Sequence, residues 1–238
     1  MNQQKRPSDR LRPVSFELSF TRFAEGSVLC RFGETHVLCN ATVEEDVPRW
    51  MKTQEEERGW LTAEYNMLPR STPERRRDRL FPDGRSQEIS RLIGRALRMA
   101  VDLHALGRRQ IILDCTVLQA DGGTRTAAVT GGWLAVRLAL EELLASGKVS
   151  PHVVRHQIAA VSVGTVDGEP FLDLAYEQDS RAGVDLNVVM TGDGDLVEIQ
   201  GTAESGVFSR QQLDTLLDLA WEGIEQLVRL QRNAFERA

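Results

Sequence analysis

Apolar and polar residues alternate with a period of two in three runs near the start of the chain: Ser15–Phe20 ("SFELSF"), Ser27–Phe32 ("SVLCRF") and Thr35–Glu45 ("THVLCNATVEE"). Successive side chains of a strand point to opposite faces, so this pattern, interrupted by "EG" and "GET", predicts an antiparallel meander. The polar stretch "PRWMKTQEEERG" follows, and then "WLTAEYNMLP", which reads as a further strand. "RSTPERRRDRLFPDGR" has two prolines, a glycine and dense charge and reads as a mobile loop.

The period then lengthens. From Ser86 to about Leu106, residues Ile89, Leu92, Ile93, Ala96, Leu97, Ala100 and Val101 form one helical stripe. Arg91, Arg95 and Arg98 fall opposite, and Ser86 has the chemistry of an N-cap. "QIILDCTVLQ" reads as a central strand with apolar side chains on both faces. "AAVTGGWLAVRLALEELLASG" is apolar around most of its circumference, as for a helix packed between layers.

The second half repeats the order. Two strands flank "DGEP", two more flank "GDGD", and a helix begins at Ser209, which forms a capping box with Gln212. Leu213, Leu216, Leu217, Ala220, Ile224, Leu227 and Val228 form its apolar face. Strands followed by helices, twice and without a linker, predict an α/β (α+β) fold with two similar sheet-and-helix lobes. The expected division is one domain over 1–238, with lobes of approximately 1–150 and 151–238.

Composition changes this picture little. No apolar run approaches the roughly 20 residues that span a membrane, and "MNQQKRPSDRLRP" lacks the apolar stretch of a signal peptide. Cys30, Cys39 and Cys115 form no CxxC and lie in strand-like segments, so buried free thiols in a reducing, cytoplasmic setting are expected. Charge is more informative. The chain carries a net −6, yet between Arg70 and Arg98 nine arginines stand against four acids. That asymmetry fits a polyanionic partner at one site, and it also fits a solvated loop and helix face.

Three stretches carry candidate chemistry. In "QADGGTRTAAVTGG" a glycine pair precedes a helix start, where unpaired N–H groups and the positive end of the helix dipole favour an anion. Gly122 and Gly123 permit a tight turn and close approach, Thr124 can cap the helix or donate its hydroxyl, and Arg125 adds a forked cation. A plain helix cap with a solvent-facing arginine would use the same residues. Neither GxxxxGK[ST] nor GxGxxG occurs, which disfavours the common nucleotide loops. In "LDLAYEQDSRAGVDLNVVM" a hairpin-like reversal at "SRAG" would bring Asp179 and Asp185 together, with Asn187 on the face of Asp185. Such carboxylates could hold Mg²⁺, or one could donate a proton; turn residues are the plainer reading. His152 and His156 have i, i+4 spacing but lack the Glu of HExxH, so they read as ordinary histidines.

Taken together, "RPVSFELSF", "EGSV", "GWLTAEYNMLPRST", "GRSQEISRLIGRALR", "DCTVLQADGGTRTAAVTGG", "YEQDSRAGVDLNVVMTG" and "VEIQGTAE" span almost the whole chain and resemble bacterial ribonuclease PH. The resemblance implies a fold like ribosomal protein S5 domain 2, assembled as a homohexamer, a trimer of dimers. It implies a phosphate-dependent 3′→5′ exoribonuclease that trims tRNA precursors and releases nucleoside 5′-diphosphates. By the same resemblance Arg85, Gly123, Thr124 and Arg125 bind inorganic phosphate. Asp179 and Asp185 assist catalysis and Mg²⁺, and Arg75, Arg76, Arg77 and Arg79 guide RNA. Ser86 stands where threonine is usual, and Glu55–Glu57 make the stretch before "GW" unusually acidic. The rival within this fold is a non-catalytic RNA-binding subunit of an exosome-like ring, which predicts loss of arginines or acids that this chain retains.

Overall fold

The structure, a computed structural model, describes residues 6–53, 57–76 and 84–237. The alternating runs form β1 (Val14–Leu18), β2 (Gly26–Phe32) and β3 (Thr35–Glu44), an antiparallel meander as their period predicts. β4 (Trp60–Met67) and β5 (Gln110–Gln119) complete a five-stranded sheet in the order β1-β2-β3-β5-β4, with β4 and β5 parallel. β5 lies inside this sheet but buries one face, not two. Ile111, Leu113, Cys115 and Val117 are buried, whereas Ile112, Asp114 and Thr116 between them are not. A largely antiparallel sheet can leave one face to water, and the isoleucine at 112 masked the alternation.

The helix expected from Ser86 to Leu106 is in fact two, α1 (Gly84–Arg98) and α2 (Leu103–Leu106). Ser86 lies inside the first turn of α1 and is not its N-cap. α1 closes with tight bonds from Met99 and Ala100 N–H back to Ala96 and Leu97 C=O; Val101 then bridges to Val154, and the Asp102 carboxylate caps α2 by accepting from the N–H groups of His104 and Ala105. An aspartate whose carboxylate accepts from N–H groups two and three residues on favours a new helix start over continuation of the old one. The predicted stripe is buried nonetheless, Ala100 and Val101 included.

The second sheet is antiparallel, in the order β7-β6-β8-β9, from β6 (Ile158–Val166), β7 (Glu169–Leu172), β8 (Ala182–Thr191) and β9 (Leu196–Ala203). Asp167 and Gly168, with φ of 54° and 87°, make the two-residue turn between β6 and β7, whose mirror-image twist suits a hairpin. α5 (Arg210–Phe235) starts with the expected capping box of Ser209 and Gln212 and packs on β6, β7 and β1. Its fully buried Gln231 donates to the carbonyls of Thr130 and Ile158, tying α5 to the central helix and to β6.

That central helix, α3 (Thr124–Ala145), packs on β2, β3 and β5 on one side and on β6 on the other. It is buried almost all round, as its composition predicts. Small residues allow the close approach: a Cβ on Gly131 would stand 2.6 Å from Cys30 Cβ. All three cysteines are buried and free, and burial pushes the Cys30 thiol far above its ordinary value. Gly26 of β2 is tighter still, since a Cβ there would lie 1.9 Å from the carbonyl oxygen of Ala135, a backbone atom that cannot rotate away. Gly26→Ala is therefore expected to separate β2 from α3 and to lower unfolding free energy by at least about 2 kcal/mol, measurable by urea denaturation.

Candidate active site

The N-terminus of α3 opens at the junction of the two sheets. Gly122 and Gly123 both take left-handed backbone, with φ of 76° and 65°, and Gly123 is the N-cap. Their need for glycine comes from the protein's own packing. A Cβ on Gly122 would stand 2.5 Å from the carbonyl oxygen of Leu174, and one on Gly123 would stand 3.0 Å from an Arg12 nitrogen. The first bond back into the helix runs from Ala127 N–H to Gly123 C=O at 3.0 Å, so the N–H groups of Thr124, Arg125 and Thr126 precede it. Thr124 does not cap with its side chain. Its hydroxyl instead shares a 2.8 Å hydrogen bond with the buried phenol of Tyr65, a β4 residue whose pKa is raised chiefly by burial. Tyr65 sits within a plain strand pattern, and nothing in the sequence links it to Thr124.

Arg125 projects from the first turn of α3. It donates to the Gln200 side chain at 3.1 Å and faces the Glu88 carboxylate at 3.5 Å. Glu88 lies one helical turn beyond Arg85 on α1, a spacing legible in the sequence, whereas Gln200 reaches the site through the register of β9. Arg85 and Arg125 line the same cavity of about 780 Å³, together with Asp179 and Asp185. A second cavity of about 650 Å³ shares these four residues and adds Gly123, Thr124 and Arg76. Arg76 is held by its Met67 contact at 3.3 Å, and Arg75 donates to the Arg76 carbonyl at 3.4 Å without lining either cavity. Arg77 and Arg79 lie outside the described residues, as do Glu55 and Glu56 of the acidic stretch and the rest of residues 77–83 of the charged loop.

The carboxylates converge by a different route from the hairpin expected. β7 and β8 both pair with β6, on opposite edges, and Asp179 ends a helical turn, α4 (Tyr176–Asp179), just before β8. The "YEQD" segment closes hydrogen bonds back to Ala175, so it is helical where a strand was expected. Asp185 stands on β8 with Asn187 on the same face, as period-two counting predicts. They pair across to Thr202 and Gln200 of β9. Burial raises the Asp179 pKa against the opposing pull of Arg85 and Arg125. Burial, then the nearby Asp179 charge, pushes Asp185 up to about 6, with Glu204 adding to the repulsion and Arg125 and Asn187 opposing it. Sequence reasoning missed Glu204, because only strand register brings it near.

His152 lies on a 3₁₀ turn (Pro151–Val153) and His156 beyond it, so the two do not share a helix face. Among the described residues no group of three or more His, Cys, Asp or Glu side chains is set to hold a metal ion, and no helix is long and apolar enough to cross a membrane. What the cleft presents is a helix N-terminus and two arginines facing two partly buried carboxylates. That arrangement can take an oxyanion on one side and a proton or cation on the other.

This two-sheet α/β architecture, with an arginine- and carboxylate-lined cleft at the lobe junction, has close counterparts. Residues 10–140 match domain 1 of the 3′ exoribonuclease family, RNase PH, and residues 156–223 match its domain 2. Ribonuclease PH of Crocosphaera subtropica is 55% identical over 234 residues, covering 98% of this chain and 97% of that protein. Ribonuclease PH of Moorella thermoacetica is 56% identical over 227 residues, covering 93% and 89%. Among solved structures, rice (Oryza sativa) Rrp46 superposes with a TM-score of 0.77 at 16% identity, covering 96% of this chain and 97% of that one. A chain of the Archaeoglobus fulgidus exosome with RNA bound to the active site gives 0.78 at 22%, covering 98% and 90%. These structures share the fold. The chain belongs to the RNase PH family of 3′ exoribonucleases.

The raised Asp185 pKa has a measurable consequence. A carboxyl raised from 3.8 to about 6 favours the folded state below its unfolded pKa, and that contribution is lost as pH rises through the folded value. In the absence of divalent metal, Asp185→Asn should therefore be more stable than wild type near neutral pH by about 2–3 kcal/mol, and the gain should shrink toward about pH 4. Urea denaturation at the two pH values reads this directly.

Proposed function

We propose that this protein is a phosphorolytic 3′→5′ exoribonuclease, acting on the 3′ ends of tRNA precursors and other RNA. The observation that carries the reading is the meeting of Arg85 and Arg125 with Asp179 and Asp185 in one cleft beside the N-terminus of α3. Relatives named ribonuclease PH, aligned over nearly the whole chain, support it. The same fold in exosome subunits at 16% and 22% identity speaks only to architecture.

Phosphate and the terminal phosphodiester are both anions, so their approach must be neutralised. Arg85, Arg125 and the N–H groups at the start of α3 bind inorganic phosphate and are already in place before reaction, which spares reorganisation. Thr124, its hydroxyl oriented by Tyr65, adds a donor. An oxygen of the bound phosphate attacks the terminal phosphorus and the bond to the 3′ oxygen breaks. A nucleoside 5′-diphosphate and an RNA one nucleotide shorter result, and the 3′ oxygen takes up a proton. One carboxyl of the Asp179–Asp185 pair, both raised by burial, would carry that proton.

The mutual repulsion of Asp179 and Asp185 is relieved by a proton or by a divalent cation, so the pair suits Mg²⁺, which accepts few protein oxygens and keeps its waters. Asp179 and Asp185 would hold Mg²⁺ there, and the ion would supply positive charge to the leaving 3′ oxygen. Arg75 and Arg76, with Arg77 and Arg79 of the same segment, lead the RNA toward the cleft. The reading extends to one unit of two lobes, assembled in the cytoplasm as a homohexamer, a trimer of dimers. Exposed apolar side chains such as Phe23, Trp50, Met99 and Leu196 offer material for its interfaces.

Incubation with RNA and Mg²⁺ should release nucleoside diphosphates only when phosphate is present; release of monophosphates without it would refute the proposal. Arg125→Ala should cut phosphorolysis at least about 100-fold, the scale of losing a preorganised anion donor, with the assembly unchanged by size-exclusion chromatography.

A further inference from the structure

Behind the anion cradle, on the side away from the cleft, lies an ion pair that the proposed chemistry does not use. Asp173 is fully buried and Arg12 nearly so, with its side chain 7% exposed. Arg12 gives the Asp173 carboxylate three hydrogen bonds, from its backbone N–H (2.8 Å), Nε (2.9 Å) and Nη2 (2.6 Å). The remaining donors of the guanidinium point at the cradle loop. Nη1 donates to the carbonyl of Asp121 at 2.5 Å, and Nη2 makes a longer contact, 3.4 Å, with that of Gly122. Thr35 completes the grip, donating to the Gly122 carbonyl at 2.6 Å and accepting from Asp121 N–H at 2.8 Å.

The geometry of the peptide unit gives this a consequence. In a trans peptide the C=O and the following N–H point in opposite directions. With the carbonyls of Asp121 and Gly122 drawn back onto Arg12 and Thr35, the N–H groups of Gly122 and Gly123 must face the other way, toward the cavity those glycines line. Two consecutive glycines have little intrinsic preference for one peptide orientation over its flip. The clamp supplies that preference. Its other end is equally placed: Asp173 leads into α4, whose last residue is Asp179, and the Asp121 carboxylate accepts from Tyr176 N–H at 3.3 Å. Arg6 also reaches the Asp173 carbonyl, at 2.7 Å. One ion pair thus joins the loop that holds the cradle to the segment that holds a carboxylate, and these come from different lobes.

We infer that Arg12, anchored by Asp173, is a positioning residue that fixes the orientation of the Asp121–Gly123 peptides and so sets the affinity of the cradle for phosphate. The phosphate identity rests on the proposed function; the clamp does not. Removing the guanidinium outright would strand a buried carboxylate, which destabilises a fold strongly, so the informative change is Arg12→Lys. Lysine keeps a charge for Asp173 but has no fork to reach the two carbonyls.

The measurements are the KM for phosphate and for RNA in phosphorolysis, the thermal midpoint, and amide hydrogen exchange at Gly122–Thr126. Arg12→Lys should raise the phosphate KM about tenfold, the scale of one charge-assisted hydrogen bond, with the RNA KM within about twofold. Exchange at Gly122–Thr126 should accelerate. Unchanged phosphate KM and unchanged exchange in the folded variant would overturn the inference. Should Arg12→Lys not fold, Asp173→Asn keeps the guanidinium but weakens its anchor, and unchanged exchange at Gly122–Thr126 overturns it equally. If the wild type lacks phosphorolysis while Arg12→Lys still loosens the loop, the clamp stands and the functional reading falls.

Discussion

A helix enclosed on nearly all sides has only its ends to offer to solvent, and α3 is such a helix. Its middle is pressed between β2, β3 and β5 of one sheet and β6 of the other. That enclosure demands small residues along its length and a glycine opposite it at Gly26, where backbone meets backbone. It also leaves the unpaired N–H groups of the first turn at the junction of the two sheets. Packing therefore locates the candidate site: burying the helix body fixes where its positive end emerges.

The charges around that end are arranged in opposition. Arg125 is steadied by Gln200 from β9 and by Glu88 from α1, so a cation at the mouth of the cleft is held by both lobes. Across from it both carboxyls are raised: burial outweighs the arginines at Asp179, and burial with the Asp179 charge does so at Asp185. A site of this kind suits an anion on one wall and withholds full negative charge on the other. Both are required when one phosphate attacks another.

Behind the cleft the long N-terminal segment stitches the lobes together. Ser8 accepts from Leu172, and Arg12 holds Asp173 and the cradle loop at once. A buried ion pair is by itself weak evidence of stability, but one whose donors also constrain two glycine peptides acts on the precision of the site. The glycines that free the loop to turn and the arginine that restrains it are complementary parts of one device.

Much of this was legible in the residues alone: the meander, the enclosed helix, the capping box at Ser209, the glycine-arginine motif and the pairing of Asp185 with Asn187 on one face. Those features are written in periods of two and 3.6 and in caps spanning a few residues, and such short-range signals survive in a one-dimensional string. The errors fell where a local preference met a distant partner. α1 closed at Arg98 although the apolar stripe continued and Asp102 started a new turn, and "YEQD" coiled where a strand was expected. Thr124 turned to Tyr65, 59 positions away, and Arg12 to Asp173, 161 positions away. Nothing in spacing or composition links such pairs. Strand register and the packing of two sheets on one helix bring them within hydrogen-bond distance, because burial leaves polar groups no water to turn to and each must find its partner in the folded chain.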